Sequence, residues 1–119
     1  MVVEDNDLNR KLFCDVLTAN GFEVEPVADG GMVLDTARKI SPDLIIMDIQ
    51  LGGMSGVDLI EAAKQDMLLR QIPVLAVTAF AAKGDEERIR SAGASGYLAK
   101  PVSITPFMTA VRELIGVDA

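Results

Sequence analysis

The sequence predicts a single doubly wound α/β domain, with a five-stranded parallel sheet and five helices. Three observations carry that prediction. Short β-like runs alternate with longer helical patterns along the whole chain. Two of the runs, Leu44–Met47 and Pro73–Val77, are apolar on both faces, as strands covered on each side by helices must be. With 119 residues there is room for one core. Surface scaling gives about 6,200 Å² folded against about 18,400 Å² unfolded, so about two-thirds of the surface is buried.

Met1–Val3 is a short strand that ends in Glu4–Asp5. Asn6 suits a helix N-cap, and Leu8, Leu12, Phe13, Val16 and Leu17 follow helical spacing until Gly21. Phe22–Val27 alternates as a second strand. Asp29–Gly30 opens a helix with Val33, Leu34, Ala37 and Ile40 on its apolar face. It stops before Ser41–Pro42, because a residue preceding proline is pushed out of the helical region. After the third strand, Gln50–Gly56 carries three glycines and reads as a loop. Val57–Lys64 is a helix with Leu59, Ile60 and Ala63 inward, and Asp85–Ala92 is a fourth whose one large apolar residue is Ile89. So thin an anchor makes the fourth helix easy to shift. Gly96–Ala99 is the fifth strand, and Ser103 caps a last helix buried through Ile104, Phe107, Met108, Val111, Leu114 and Ile115.

Composition narrows the function. Eleven Lys and Arg against eighteen Asp and Glu give a net charge of -7. The pI is near 4.4 and mean hydropathy is +0.30. Such a surface repels nucleic acid and anionic lipid. No apolar run approaches the roughly 20 residues of a membrane helix, so the expectation is a cytoplasmic protein with no membrane insertion. Histidine is absent, which excludes histidine acid–base catalysis, His-metal sites and a phosphohistidine carried by this chain. The lone Cys14 forbids an internal disulfide and reads as a buried thiol. Met32, Met54, Met67 and Met108 are scattered and read as core or loop filler.

The carboxyl ends of the strands hold Glu4 and Asp5, Asp48, Thr78 and Lys100. In doubly wound sheets those ends converge on one crevice. Alone, each residue has a bland explanation: a helix-dipole partner, a turn former, a strand-end hydroxyl, a solvated cation. Together they are far more specific. Three carboxylates in one crevice repel each other unless a cation compensates, and oxygen ligands with open positions suit Mg²⁺. A metal beside an exposed carboxylate, with an ammonium and a hydroxyl nearby, is a phosphoryl-transfer site. A nucleotide cradle after the first strand wants glycines, whereas Glu4-Asp5-Asn6-Asp7 repels an anion.

Val3-Glu4-Asp5-Asn6, the run Asp43–Gln50, Val77-Thr78-Ala79 and Lys100-Pro101 together resemble the receiver domain of two-component response regulators, over essentially the whole chain. The resemblance implies a flavodoxin-like receiver fold. It implies Asp48 as phosphoacceptor, with Mg²⁺ among Glu4, Asp5, Asp48 and the backbone carbonyl of Gln50. Thr78 and Lys100 would contact the phosphoryl group, and Tyr97, three before Lys100, would be the aromatic switch. Gln50 and Phe80 would flank the path of the hydrolytic water and tune phosphate lifetime. The stretches Asn9–Leu17 and Val77–Ile89, with Phe80 and Lys83-Gly84-Asp85-Glu86-Glu87-Arg88, resemble single-domain DivK-type receivers of cell-cycle control. Two departures stand out. Gly52–Gly53 replaces the proline usual in the loop after the phosphoacceptor, and Met1 lies only three residues before Glu4.

The expectation is therefore one receiver domain over residues 1–119 with no output domain, a signalling switch rather than an enzyme. It takes a phosphoryl group from a histidine kinase or phosphotransfer protein and acts through protein–protein binding, in cell-cycle or division control. The face formed by the fourth helix, fifth strand and fifth helix is the expected partner surface, with the first helix as a second one. One alternative is a receiver excised from a hybrid histidine kinase. Another is a Mg²⁺-dependent aspartyl-phosphate phosphatase, which usually needs a second acid two residues after the nucleophile, where this chain has Gln50.

Overall fold

The computed structural model describes residues 1–51, 54–79 and 84–116. Its strands are β1 (Val2–Val3), β2 (Pro26–Val27), β3 (Ile45–Asp48), β4 (Gln50–Leu51), β5 (Met54–Ser55), β6 (Val74–Thr78) and β7 (Gly96–Ala99). The helices are α1 (Asp7–Ala19), α2 (Val33–Ile40), α3 (Gly56–Gln65), α4 (Asp85–Ala92) and α5 (Ile104–Ile115). Five strands form one parallel sheet in the order β2-β1-β3-β6-β7, and β4 and β5 form a separate antiparallel ribbon. The order reverses direction between β1 and β3, which opens a crevice at their carboxyl ends.

Alternation along the buried strands sorts the core into two layers. Val3, Ile45, Met47, Val74 and Ala76 point to the layer that also holds Val33, Ala37, Ile60, Ala63 and Ile89 of α2, α3 and α4. Val2, Ile46, Leu75 and Val77 point to the other layer, with Phe13 and Leu17 of α1 and Phe107, Met108 and Val111 of α5. The Phe13 and Phe107 rings stack with centroids 5.1 Å apart, tying α1 to α5. Asn6 caps α1 by accepting the Asn9 N–H at 2.9 Å, and Gly21 at φ +90° turns the chain out of that helix.

Several expectations need correction. The strand expected over 22–27 is only Pro26–Val27, because β1 offers just Val2 and Val3 as partners. The glycine-bearing loop contains the β4–β5 ribbon, closed by Gln50 opposite Ser55. The second helix begins as a 3₁₀ turn over Gly30–Met32, capped by Asp29 on the Gly31 N–H. Ser103 stands at the N-cap of α5 but makes no side-chain capping bond. Ile104, expected inward, is 59% exposed, and Leu8 and Leu12 also lie toward solvent. Cys14 is half-buried rather than buried, though burial is still enough to push its thiol up. Met108 is core, while Met32 and Met67 are exposed.

Candidate functional site

Each predicted strand end delivers its residue to one place. Hydrogen bonding of the Glu4 N–H to Val27 O at 3.0 Å continues the β1–β2 ladder one residue past β1 and sends the Glu4 side chain inward, fully buried. Asp5, next in the chain, is exposed. Asp48 ends β3 opposite Val77 of β6, and is itself buried. Thr78 ends β6 opposite Ala99, buried, and its carbonyl accepts the Lys100 N–H at 2.7 Å. That bond aims the Lys100 side chain back across the sheet ends; the peptide bond to Pro101 is cis.

Lys100 is the hub. Its Nζ lies 2.9 Å from Glu4 Oε1 and 3.3 Å from Asp48 Oδ2. Desolvation alone would lower its pKa, but the hydrogen bond to Glu4 and the charges of Asp48 and Glu4 outweigh it, so the ammonium is held above its usual range. Glu4 shows the opposite tension: burial, with Asp48 alongside, raises its carboxyl to about 7 despite the pull of Lys100 and Asn9. On the far side, Asp48 Oδ1 accepts the Gln50 N–H at 3.0 Å. Ligand oxygens of Glu4, Asp5 and Asp48 all lie within 4.8 Å of one another. Glu4 Oε2 is buried with no hydrogen-bond partner among the described residues. A donor set of hard oxygens, one of them orphaned, fits a small divalent cation.

Beside this cluster lies a cleft of about 410 Å³, bounded by Gln50 and Thr78 on the sheet side and by Asp85 and Arg88 of α4 on the other. Tyr97 stands half-buried on the edge strand β7. It packs against the core layer that holds Ile89 of α4, and burial first, then the charges of Glu86 and Asp85, raise its phenol. Phe80 lies outside the described residues. Sequence reading missed three contributors. Arg10 donates to the Glu4 carbonyl at 2.9 Å and so fixes the turn that presents the acidic pair. Gly56 brings the start of α3 against the backbone of Asp48 and Ile49. Arg88 is the third. Only the Gly56 signal, a small residue opening a helix after a loop, was visible in sequence.

The chain matches the family model "Response regulator receiver domain" over residues 1–112. The chain is a response regulator receiver domain. The receiver is 50% identical over 116 residues to "Polar-differentiation response regulator DivK" of Brucella ovis, which covers 98% of this chain and 94% of that protein. Its fold superposes with a TM-score of 0.91 on a response regulator from Chloroflexus aurantiacus, at 30% identity over 97% of this chain and 94% of that one. It also matches the receiver domain of a sensor histidine kinase from Pseudomonas aeruginosa, with a TM-score of 0.88 and 32% identity, covering 97% and 94%. That structure holds a magnesium ion in its active-site cleft. The expected fold and family are therefore correct, and the receiver belongs to two-component signalling. Among the described residues no helix is long and apolar enough to cross a membrane.

Proposed function

We propose that this receiver is a phosphorylation-controlled switch that accepts a phosphoryl group on Asp48 from a histidine kinase or phosphotransfer protein. The observation that carries this reading is the setting of Asp48. It is buried at the end of a central strand, with one carboxylate oxygen on the Gln50 N–H and the other facing Lys100. Asp48 ends a central strand between the Gln50 N–H and the Lys100 ammonium, and Thr78 ends the strand paired beside it.

Glu4, Asp5, Asp48 and the backbone carbonyl of Gln50 are the groups that would hold Mg²⁺. When bound, the ion neutralises charge on the phosphoryl oxygens as they approach an acidic site. Asp48 attacks phosphorus in line and needs no general base, because its carboxylate is already the nucleophile. Lys100 trades part of its contact with Glu4 and Asp48 for a phosphoryl oxygen, and Thr78 donates its hydroxyl to another. Gln50 and Phe80 are the positions that set access of water to the acyl phosphate. Thr78 turning toward the new group leaves space into which Tyr97 rotates, and α4 follows. The α4–β7–α5 face is then the surface read by a downstream protein, with α1 as a second contact. Likeness to DivK supports a role in cell polarity or division, in the cytoplasm, and a signalling protein that catalyses only its own modification and its slow reversal.

Incubation with acetyl phosphate and Mg²⁺ tests the reading. The wild type should gain one phosphoryl group by intact mass, Asp48→Asn none, and EDTA should block the reaction. Tyr97 is the only tyrosine and there is no tryptophan, so intrinsic fluorescence should change with phosphorylation in the wild type alone. A phosphoryl group on Asp48→Asn would remove the assignment.

A further inference from the structure

We propose that Arg88 is a specificity residue for the phosphodonor, favouring donors whose leaving group departs with negative charge. The inference rests on Asp48 being the acceptor. Incoming donors are anions, and the site they approach carries Glu4, Asp5 and Asp48. The cations nearby are mostly committed: Lys100 to Glu4 and Asp48, and Arg10 to the Glu4 carbonyl and Asp7. Arg88 differs. It lines the cleft that opens beside Gln50 and Thr78, and among the described residues its guanidinium makes no hydrogen bond and no ion pair. Asp85 lines the same cleft one helical turn earlier, so the local field is mixed rather than uniformly basic. The cleft's wall also includes Ser55, a neutral hydroxyl, and no other cation stands among the described residues that line it.

The cleft adjoins the Gln50 side of Asp48, the side on which Asp48 Oδ1 is already anchored. A donor seated with phosphorus facing Asp48 therefore has room for its leaving group in the space that Arg88 borders. With acetyl phosphate, a bond forms between an Asp48 oxygen and phosphorus. The phosphorus–oxygen bond to acetate breaks, and the electron pair leaves with acetate as an anion. With phosphoramidate the phosphorus–nitrogen bond breaks, and the already protonated nitrogen departs as neutral ammonia. A guanidinium near the departing atom stabilises the first transition state more than the second, because negative charge develops on the leaving group only in the first. Its planar fork suits a departing carboxylate.

Single-turnover phosphorylation of the intact protein by acetyl phosphate and by phosphoramidate, both with Mg²⁺, gives a rate ratio for the two donors. Arg88→Gln should lower that ratio by about two- to fivefold, the scale of a solvated charge contact. Arg88→Lys should restore most of it, and high salt should shrink the difference. Arg88 is exposed and α4 buries only Ile89, so both variants keep the fold; circular dichroism checks this. Equal loss of rate with both donors, or an unchanged ratio, overturns the proposal while leaving Asp48 as acceptor. A wild type that reacts with neither donor overturns the acceptor assignment and this inference with it.

Discussion

Gly56→Ala should damage stability and phosphorylation together, for a reason visible in the backbone. Gly56 opens α3, is buried, and donates its N–H to Ile49 O at 2.9 Å. A Cβ there would stand 2.6 Å from Ile49 Cα and 2.7 Å from the Asp48 carbonyl oxygen. Comfortable contact between such atoms is about 3.5 Å or more, so roughly 1 Å must be found by moving backbone. No flexible side-chain tip can yield instead. Overpacking of this kind costs about 1–3 kcal/mol, and alanine's better helix propensity returns up to about 1 kcal/mol, leaving a net loss of about 1–2 kcal/mol. For a domain of this size that lowers the Tm by about 4–8 °C. The displaced atoms belong to the residue proposed as nucleophile and to its neighbour, so the acetyl phosphate reaction should slow by about tenfold or more.

Urea denaturation and single-turnover phosphorylation measure the two effects, and Gly21→Ala is the matched comparison. Gly21 has φ +90° but nothing within 4 Å of a new Cβ, so its cost of about 1 kcal/mol is conformational and should leave phosphorylation unchanged. If Gly56→Ala unfolds at the wild-type urea midpoint and reacts at the wild-type rate, the close approach of α3 to β3 is not a structural requirement and the reasoning fails.

Lys100→Met should lower stability by about 2–4 kcal/mol in the absence of divalent cations, because Glu4 and Asp48 lose the ammonium that compensates their burial. Adding Glu4→Gln should recover part of that loss; a double-mutant cycle with no coupling would contradict the contact. Asp66 accepts the Leu68 N–H at 2.8 Å and the Arg38 Nε at 2.6 Å, joining the turn after α3 to the end of α2. Those two contacts, the Leu68 N–H first, hold its carboxyl below the ordinary 3.8. A depressed folded pKa means stabilisation that is complete above 3.8 and lost as pH falls through the lower folded value. The urea midpoints of wild type and Asp66→Ala should therefore differ at neutral pH and converge on the acid side, and a gap independent of pH would contradict it.

Much of the fold was legible because burial on both faces leaves a signature. Leu44–Met47 and Pro73–Val77 have no polar side, and their helical neighbours show one apolar stripe each, so a covered parallel sheet was the consistent answer. Errors arose where periodicity exists without a partner. Phe22 and Val24 alternate with Glu23 and Glu25 and half-bury against α1 and α5, yet the ladder starts only at Pro26, opposite Val2. Ile104, Leu8 and Leu12 fit helical spacing but sit on the rim of their stripes, and spacing alone does not separate rim from centre. At the site, Glu4, Asp5, Asp48, Thr78 and Lys100 were readable because topology places strand ends. The positions of Arg10 and Arg88 depend on approaches between elements, which no local pattern encodes, while Gly56 left only the hint of a small residue opening a helix after a loop.

The Lys100–Glu4 contact spans 96 positions of sequence and reaches from the end of β7 to the end of β1, across β3 and β6. It forms only when the whole sheet has formed, so the site reports global folding and gains the rigidity of its surroundings. β3 and β6 are buried at every position and pair residue for residue, which leaves them little freedom to answer a new charge at Asp48. The helix beyond the cleft is built differently. α4 buries Ile89 alone and is bounded by two glycines at positive φ, Gly84 at +95° and Gly93 at +127°. Its two ends are unequal. At Gly93 there is no room beyond the backbone, since a Cβ would meet Lys64 Cγ at 2.4 Å, and Lys64 is itself held by the Ile72 carbonyl at 2.8 Å. At Gly84 nothing among the described residues lies within 4 Å of the same position. A charge placed on Asp48, among residues too well packed to move, should therefore be expressed at the Gly84 end of α4 that carries Asp85 and Arg88 to the cleft, with the Lys64–Gly93 contact as the fixed end.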